Sequence, residues 1–199
     1  MKVPSFFRER KYRSVLAIGL DNAGKTSILC HLANVASANR SIVKTVGTAP
    51  TVGTQMVEFR RRNVRWAAWD MSGQGRYRNL WASHASHIHG VIFVVDVTDL
   101  PRIAVARDEL HEILASRALR QTNTPVAILS NKYDAVKAAS VGGATGGGGY
   151  LTLENVCIAL AVETLQVGDS SRTLTLRRSI PSFPMIRGGR SQLADRPPR

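Results

Sequence analysis

An α/β fold, with a doubly wound, mostly parallel sheet and helices on both faces, is predicted by three observations. Short apolar runs ending in glycine or a polar residue alternate with segments of helical period. A glycine-rich loop stands between the first such run and the first helical segment. Two later runs, Gly90-Val91-Ile92-Phe93-Val94-Val95-Asp96 and Pro125-Val126-Ala127-Ile128-Leu129-Ser130, are apolar almost throughout, as strands covered on both faces must be.

Taken in order, Ser14 to Ile18 is a buried strand ending at Gly19. Lys25 to Ala36 is a helix, with Ile28, Leu29, Leu32 and Val35 at helical spacing. Residues 37–50 are polar and turn-rich and predict a long loop. Val52 to Arg62 and Val64 to Trp69 carry aromatic and β-branched residues in partial alternation, predicting two strands joined near Arg62-Asn63. The Gly90 strand follows. Ile103 to Leu119 is helical by period, through Ile103, Val105, Leu110, Ile113 and Leu114. Beyond the Pro125 strand the character changes: residues 142–149 are a glycine-rich insert, and Leu151 to Leu165 resumes a helical pattern. From Gly168 the chain is rich in Ser, Arg, Gly and Pro, and disorder is expected from about residue 180. The domain organisation is therefore a basic N-terminal segment (1–13), an α/β domain (14–167) and a basic, disordered tail (168–199).

Composition narrows the function. The chain has 199 residues with 44% hydrophobic content, enough to bury a sizeable core. No run of apolar residues is long enough to span a membrane, and residues 1–7 lack the apolar stretch of a secretory leader. Cys30 and Cys157 have neither ligand spacing nor a framework to build, so a reducing, cytoplasmic setting fits. The net charge of +13 is concentrated at the ends. Seven arginines lie between Arg172 and Arg199 against the one acid Asp195, and Lys2, Arg8, Arg10, Lys11 and Arg13 cluster at the start. Charge at both ends fits solvated termini or peripheral contact with an anionic surface. Nucleic-acid binding would rest on charge alone, because no aromatic-basic recognition motif accompanies it. His84, His87 and His89 alternate, but no cysteine or acid lies close by, which favours a solvated helix surface over a metal site.

The chemistry is in the motifs. Gly19-x4-Gly24-Lys25-Thr26 matches a phosphate-binding loop in full and sits between strand and helix, as that function requires, which identifies a P-loop NTPase fold. The glycines let backbone N–H groups turn inward around phosphate oxygens, and the helix that follows adds its positive end. Leu20, Asp21, Asn22, Ala23 and Ser27 complete the nucleotide-binding loop. Lys25 would neutralise the β and γ phosphates and the Thr26 hydroxyl would hold magnesium. Asn131-Lys132-Tyr133-Asp134 follows the Pro125 strand, and a carboxylate at Asp134 can accept from both guanine N1–H and the exocyclic amine. Adenine offers neither in that arrangement. Between them, Asp70 ends a strand and can hold magnesium through water, the Gly73 N–H can sense a γ-phosphate, and Gln74 stands where it could orient an attacking water, as the catalytic residue. Thr51 could close over magnesium when the γ-phosphate is present.

Gly19-Leu20-Asp21-Asn22-Ala23-Gly24-Lys25-Thr26, Ala49-Pro50-Thr51-Val52-Gly53, Trp69 to Gln74 and Asn131 to Asp134 together resemble the ADP-ribosylation-factor-like small GTPases over roughly residues 14–157. The run Asp70 to Trp81, with Ser72 where most relatives have glycine, is most similar to the ciliary, Bardet–Biedl-associated branch of that family. The resemblance implies GTP/GDP and Mg2+ as ligands, with loops near Thr51 and Gln74 clamping the γ-phosphate. It also implies a hairpin, about Thr54 to Trp69, that slides in register, and an effector face including Trp66, Tyr77 and Trp81. Its partners would be effectors of a membrane-coat type, an exchange factor and a GTPase-activating protein, at a membrane or the cilium base.

The pattern is expected to fail at both ends. After Leu165 no convincing further strand, Ala-containing guanine-contacting loop or closing amphipathic helix can be read, although Arg172 to Leu176 alternates. The C-terminal strand and helix are therefore expected to be missing or divergent, leaving apolar sheet uncovered and nucleotide affinity reduced. Lys2 stands where relatives often carry a myristoylated glycine. Phe6 and Phe7 among basic residues would give only weak, salt-sensitive contact with anionic lipid. A degenerate relative acting as a non-hydrolysing scaffold is the competing function. A P-loop kinase is disfavoured by the Asn131 to Asp134 motif.

Overall fold

The first strand, β1 (Lys11–Ile18), starts three residues ahead of the apolar run that predicts it. Lys11, Tyr12 and Arg13 are exposed, and they join the sheet through backbone pairing with Val64, Arg65 and Trp66, a contribution hydropathy does not register. The computed structural model describes residues 11–36, 53–61, 63–133, 151–162 and 174–178. The basic segment 1–10, the loop at 37–50 and the glycine-rich insert at 142–149 lie outside the described residues.

After β1 come α1 (Lys25–Ala36), β2 (Thr54–Arg61), β3 (Val64–Met71), the short α2 (Leu80–His84), β4 (Gly90–Asp96), α3 (Ile103–Ala115), α4 (Arg117–Arg120), β5 (Val126–Asn131), α5 (Leu153–Ala159) and β6 (Leu174–Arg178). The sheet order is β2-β3-β1-β4-β5-β6. Among the described strands only β2 runs antiparallel to its neighbour, in register from Thr54↔Met71 to Arg61↔Val64; the other described pairs are parallel. Asn63 makes the hairpin turn in the left-handed region (φ 62°), which asparagine tolerates better than most residues.

Two apolar layers flank the sheet. On one face Leu16, Ile18, Phe93, Val95 and Ile128 pack with Leu110 and Leu114 of α3 and with Val156 and Leu160. On the other, Ala17, Val57 and Ala68 receive Leu29 and Ala33 of α1. Small residues on both sides of that second contact let helix and sheet approach closely. Among the described residues no helix is long and apolar enough to cross a membrane.

Two expectations are corrected. The predicted helix from Ile103 to Leu119 breaks at Ser116, whose backbone leaves the helical region (ψ 145°) and whose hydroxyl accepts from the Leu119 N–H to start α4. Such a cap is a local preference of serine that the apolar period does not contain. The expected loss of the C-terminal strand is overturned for the strand: β6 pairs in parallel with β5 from Val126↔Leu174 to Ser130↔Arg178. The sheet therefore reaches into the stretch assigned to the tail, and the edge expected to be bare is covered. The alternation at residues 172–176 overlaps β6 at Leu174–Leu176, and the strand continues into Arg177 and Arg178, where arginine-rich composition predicts tail. The closing helix and Ser170-Ser171 fall outside the described residues.

Candidate nucleotide site

β1 delivers the chain to the C-terminal edge of the parallel sheet at Gly19, where ligands of doubly wound folds bind. Gly19 and Gly24 have positive φ (136° and 92°). A Cβ on Gly19 would overlap the Val94 carbonyl oxygen, and one on Gly24 would overlap the Asn131 carboxamide. Gly19 is thus required by close approach to backbone as well as by conformation, whereas at Gly24 the conformation is the requirement and an added Cβ would displace the Asn131 carboxamide. The Ile28 N–H donates to the Gly24 carbonyl at 3.0 Å as α1 begins.

Lys25 is 6% exposed, and its Nζ donates to the Gly19 and Leu20 carbonyls at 2.9 and 2.8 Å. Burial pushes its pKa down to about 8, against the opposing pull of the Asp70 and Asp21 carboxylates; Arg78 adds to the depression. A phosphate entering this loop would supply the negative charge that such a buried ammonium needs.

Thr26 is the second residue of α1, and its Oγ1 donates to Asp70 Oδ2 at 2.5 Å. Asp70 is fully buried near the end of β3. A hydroxyl and a carboxylate side by side at a phosphate loop are hard oxygen donors of the kind magnesium takes, so the residues fit that ion. Thr51, the other candidate, lies outside the described residues.

Gly73 presses on the same loop: a Cβ there would collide with the backbone of Leu20 and Asp21. Arg78, which sequence reasoning missed, holds it in place. Its Nε donates to the Gly73 carbonyl at 2.8 Å, its Nη1 pairs with Glu109 at 2.8 Å, and its Nη2 lies 3.7 Å from Asp21. Arg102 adds two hydrogen bonds to Asp21 at 2.9 and 3.0 Å and bonds Asp99 as well. Burial would raise the Asp21 carboxyl, but its bonds to Arg102 and the charges of Arg102 and Arg78 outweigh this and hold it below the ordinary carboxylate range. Arg78 lies inside the run Asp70 to Trp81, but nothing in the sequence gives either arginine a role; three-dimensional placement does.

β5 ends at Asn131, whose Nδ2 donates to the Ala23 carbonyl at 2.8 Å, tying the candidate base-reading segment to the phosphate loop. Lys132 has positive φ (67°), and its Nζ pairs with Asp96 at 2.7 Å. Asp96 also accepts from the Thr98 N–H and hydroxyl. Burial would raise its carboxyl; the Lys132 and Thr98 bonds prevail and lower it. Asp134 lies outside the described residues.

Gln74 precedes the single helical turn at Gly75–Tyr77, and its Oε1 accepts from two nitrogens of Arg76. Ser72 is buried; its carbonyl accepts from Trp81 Nε1 at 3.0 Å. That bond, with 2% exposure and an edge-on contact to Phe93, removes Trp81 from the effector face expected of it. Trp66 is half-buried and stacks on Phe59, while Trp69, which the sequence did not single out, lies against His84. The histidines are not a uniform solvated helix surface either. His89 precedes β4 and its Nδ1 accepts from the Ser14 N–H at 3.1 Å, joining the middle of β1 to the start of β4. Among the described residues no three His, Cys, Asp or Glu side chains gather to hold a metal.

A phosphate loop between β1 and α1, an acid near the end of β3 and an Asn-Lys pair at the end of β5, all at one sheet edge, define the small GTPase class of P-loop proteins. The chain belongs to the ADP-ribosylation factor family, whose sequence profile matches residues 2–171. It is 38% identical over 125 residues to ADP-ribosylation factor-like protein 6 of Caenorhabditis briggsae, covering 63% of each chain. It is 35% identical over 159 residues to the protein of that name from Caenorhabditis elegans, covering 80% of this chain and 74% of that one. Human ADP-ribosylation factor-like protein 5A is 38% identical over 127 residues, 64% of this chain and 65% of the relative. The chain thus spans somewhat under two thirds of some of these relatives. Among solved structures it is similar to the Arl6 BBS3 small GTPase of Trypanosoma brucei with bound nucleotide analogue GppNp, at TM-score 0.65 and 25% identity over 85% of this chain and 87% of that one.

Proposed function

We propose that this chain is a GTP-binding molecular switch that binds GTP and GDP with magnesium, hydrolyses GTP slowly, and regulates protein trafficking at a membrane or cilium. The observation that carries the reading is the gathering of Lys25, the Thr26–Asp70 pair and the Asn131–Ala23 bond at one sheet edge. The loop at residues 19–27 takes the phosphates with its N–H groups and Lys25. Asp134 accepts from guanine, and the Asn131 carboxamide fixes the distance between the two subsites. Magnesium, when bound, offsets the charge of the β and γ phosphates, with Thr26, Thr51 and Asp70 as the side chains that hold it directly or through water.

Switching follows from Gly73. Its N–H is the group that meets a γ-phosphate, and Gly73 is joined through Arg78 to α3 and to Asp21. A γ-phosphate that engages this N–H therefore biases the whole segment from Ser72 to Trp81, and the β2–β3 hairpin with it. Partners of the effector, exchange-factor and activating-protein classes read or drive that bias. Trp66 and Trp69 lie on the hairpin and report its movement. Exchanging GDP for a non-hydrolysable GTP analogue in magnesium should change their fluorescence, and the change should shrink in Trp69→Phe and in Trp66→Phe. Identical spectra in the two nucleotide states would remove the switch reading.

A further inference from the structure

We propose that Arg76 is a positioning residue that sequesters the Gln74 carboxamide and thereby sets the intrinsic rate of GTP hydrolysis. The proposal rests on the reading of Gln74 as the group that orients the attacking water. In hydrolysis the water oxygen forms a bond to the γ-phosphorus while the bond from that phosphorus to the β–γ bridging oxygen breaks. GDP leaves, and the water's proton ends on the released phosphate. To orient that water, Gln74 must accept a hydrogen bond from it at Oε1.

That oxygen is occupied. Arg76 Nε and Nη2 donate to it at 3.2 and 3.0 Å. A carboxamide oxygen has two lone pairs, and two N–H groups of one guanidinium use both. The guanidinium is itself anchored, with its central carbon 4.9 Å from the centre of the Tyr77 ring. A cation over an aromatic face is held without consuming its N–H groups, which leaves them for Gln74. Gly75, between the two partners, meets nothing even at the position of an added Cβ, so the turn that brings Arg76 round to Gln74 is unobstructed. The backbone just before Gln74 is fixed by the Arg78 bond to the Gly73 carbonyl. The arrangement thus holds the main chain in place while diverting the side chain that does the chemistry.

Arg76 is exposed, so the bond to Gln74 is screened by solvent and its removal should release a modest effect. Single-turnover hydrolysis of GTP-loaded protein in excess magnesium is the test. Arg76→Ala should hydrolyse about two- to fivefold faster than the parent, with the GDP dissociation rate unchanged. Arg76→Lys, which keeps the charge but cannot present two N–H groups to one oxygen in a fork, should fall between them. Gln74→Leu should be slow, and adding Arg76→Ala to it should give no further change. A slow Gln74→Leu beside an Arg76→Ala no faster than the parent overturns the sequestration alone. A Gln74→Leu that hydrolyses as fast as the parent overturns both the sequestration and the role of Gln74. A rate gain from Arg76→Ala that persists in the Gln74→Leu background overturns the proposal too, because the arginine would then act elsewhere.

Discussion

Thr26 and Asp70, on α1 and β3, share a hydrogen bond of 2.5 Å at the mouth of the phosphate loop. The bond places a buried carboxylate where it would support the magnesium ion proposed to bind at the hydroxyl. Asp70→Asn keeps the shape and removes the charge. It should weaken the magnesium-dependent part of GDP affinity roughly tenfold, the usual scale for a group that orients a metal's ligands, and leave affinity measured in chelator unchanged. An equal loss with and without magnesium would show that Asp70 serves the fold alone.

Lys25 makes stability depend on pH in a defined direction. Its pKa falls from the ordinary 10.5 to about 8 on folding. Between those values the unfolded chain binds more protons, so stability rises with pH through the window and is lost as pH falls through 8. The full effect is on the order of 3 kcal/mol, from the size of the shift. In nucleotide-free protein, melting curves should show the parent gaining on Lys25→Met between pH 8 and 10. Parallel curves would contradict it.

Gly73 and Gly75 offer a matched pair. A Cβ at Gly73 meets the backbone of Leu20 and Asp21, which cannot swing aside, whereas one at Gly75 meets nothing. Gly73→Ala should cost about 1–3 kcal/mol through overpacking, and Gly75→Ala less than about 0.5 kcal/mol, as for surface sites. Denaturant midpoints measured in GDP check both. Equal effects would mean that Gly73 does not rest against the phosphate loop in solution.

Ser130 lies in β5 with no exposed surface, and its hydroxyl has no partner among the described residues. Removing a buried, unsatisfied hydroxyl recovers its desolvation cost. Ser130→Ala should therefore stabilise by about 1 kcal/mol, seen as a higher urea midpoint at unchanged slope. A loss of stability would reveal a partner for that hydroxyl.

Much of this was legible in the sequence because the site is built from local signals. Gly19 to Thr26 is contiguous, and the apolar runs at Gly90 and Pro125 have the length and hydropathy of covered strands. What escaped reading was set by contacts between distant segments. Lys11 to Arg13 join the sheet by backbone pairing with β3, and β6 reads as tail because arginines surround it. Arg78 and Arg102 gain their importance only where Asp21, Glu109 and Asp99 come together. Trp81 and Trp69 are alike in sequence, and only packing separates the core residue from the half-buried one.

Selectivity for guanine is the central claim, since it joins the phosphate loop to the segment at Asn131 through the bond to Ala23. Displacement of a fluorescent GDP analogue in magnesium by GDP, GTP and ADP tests it most directly. GDP and GTP should displace it, with ADP weaker by a factor of at least about 100, as expected of a site that hydrogen-bonds the base edge. Displacement by ADP as effective as by GDP would contradict the account.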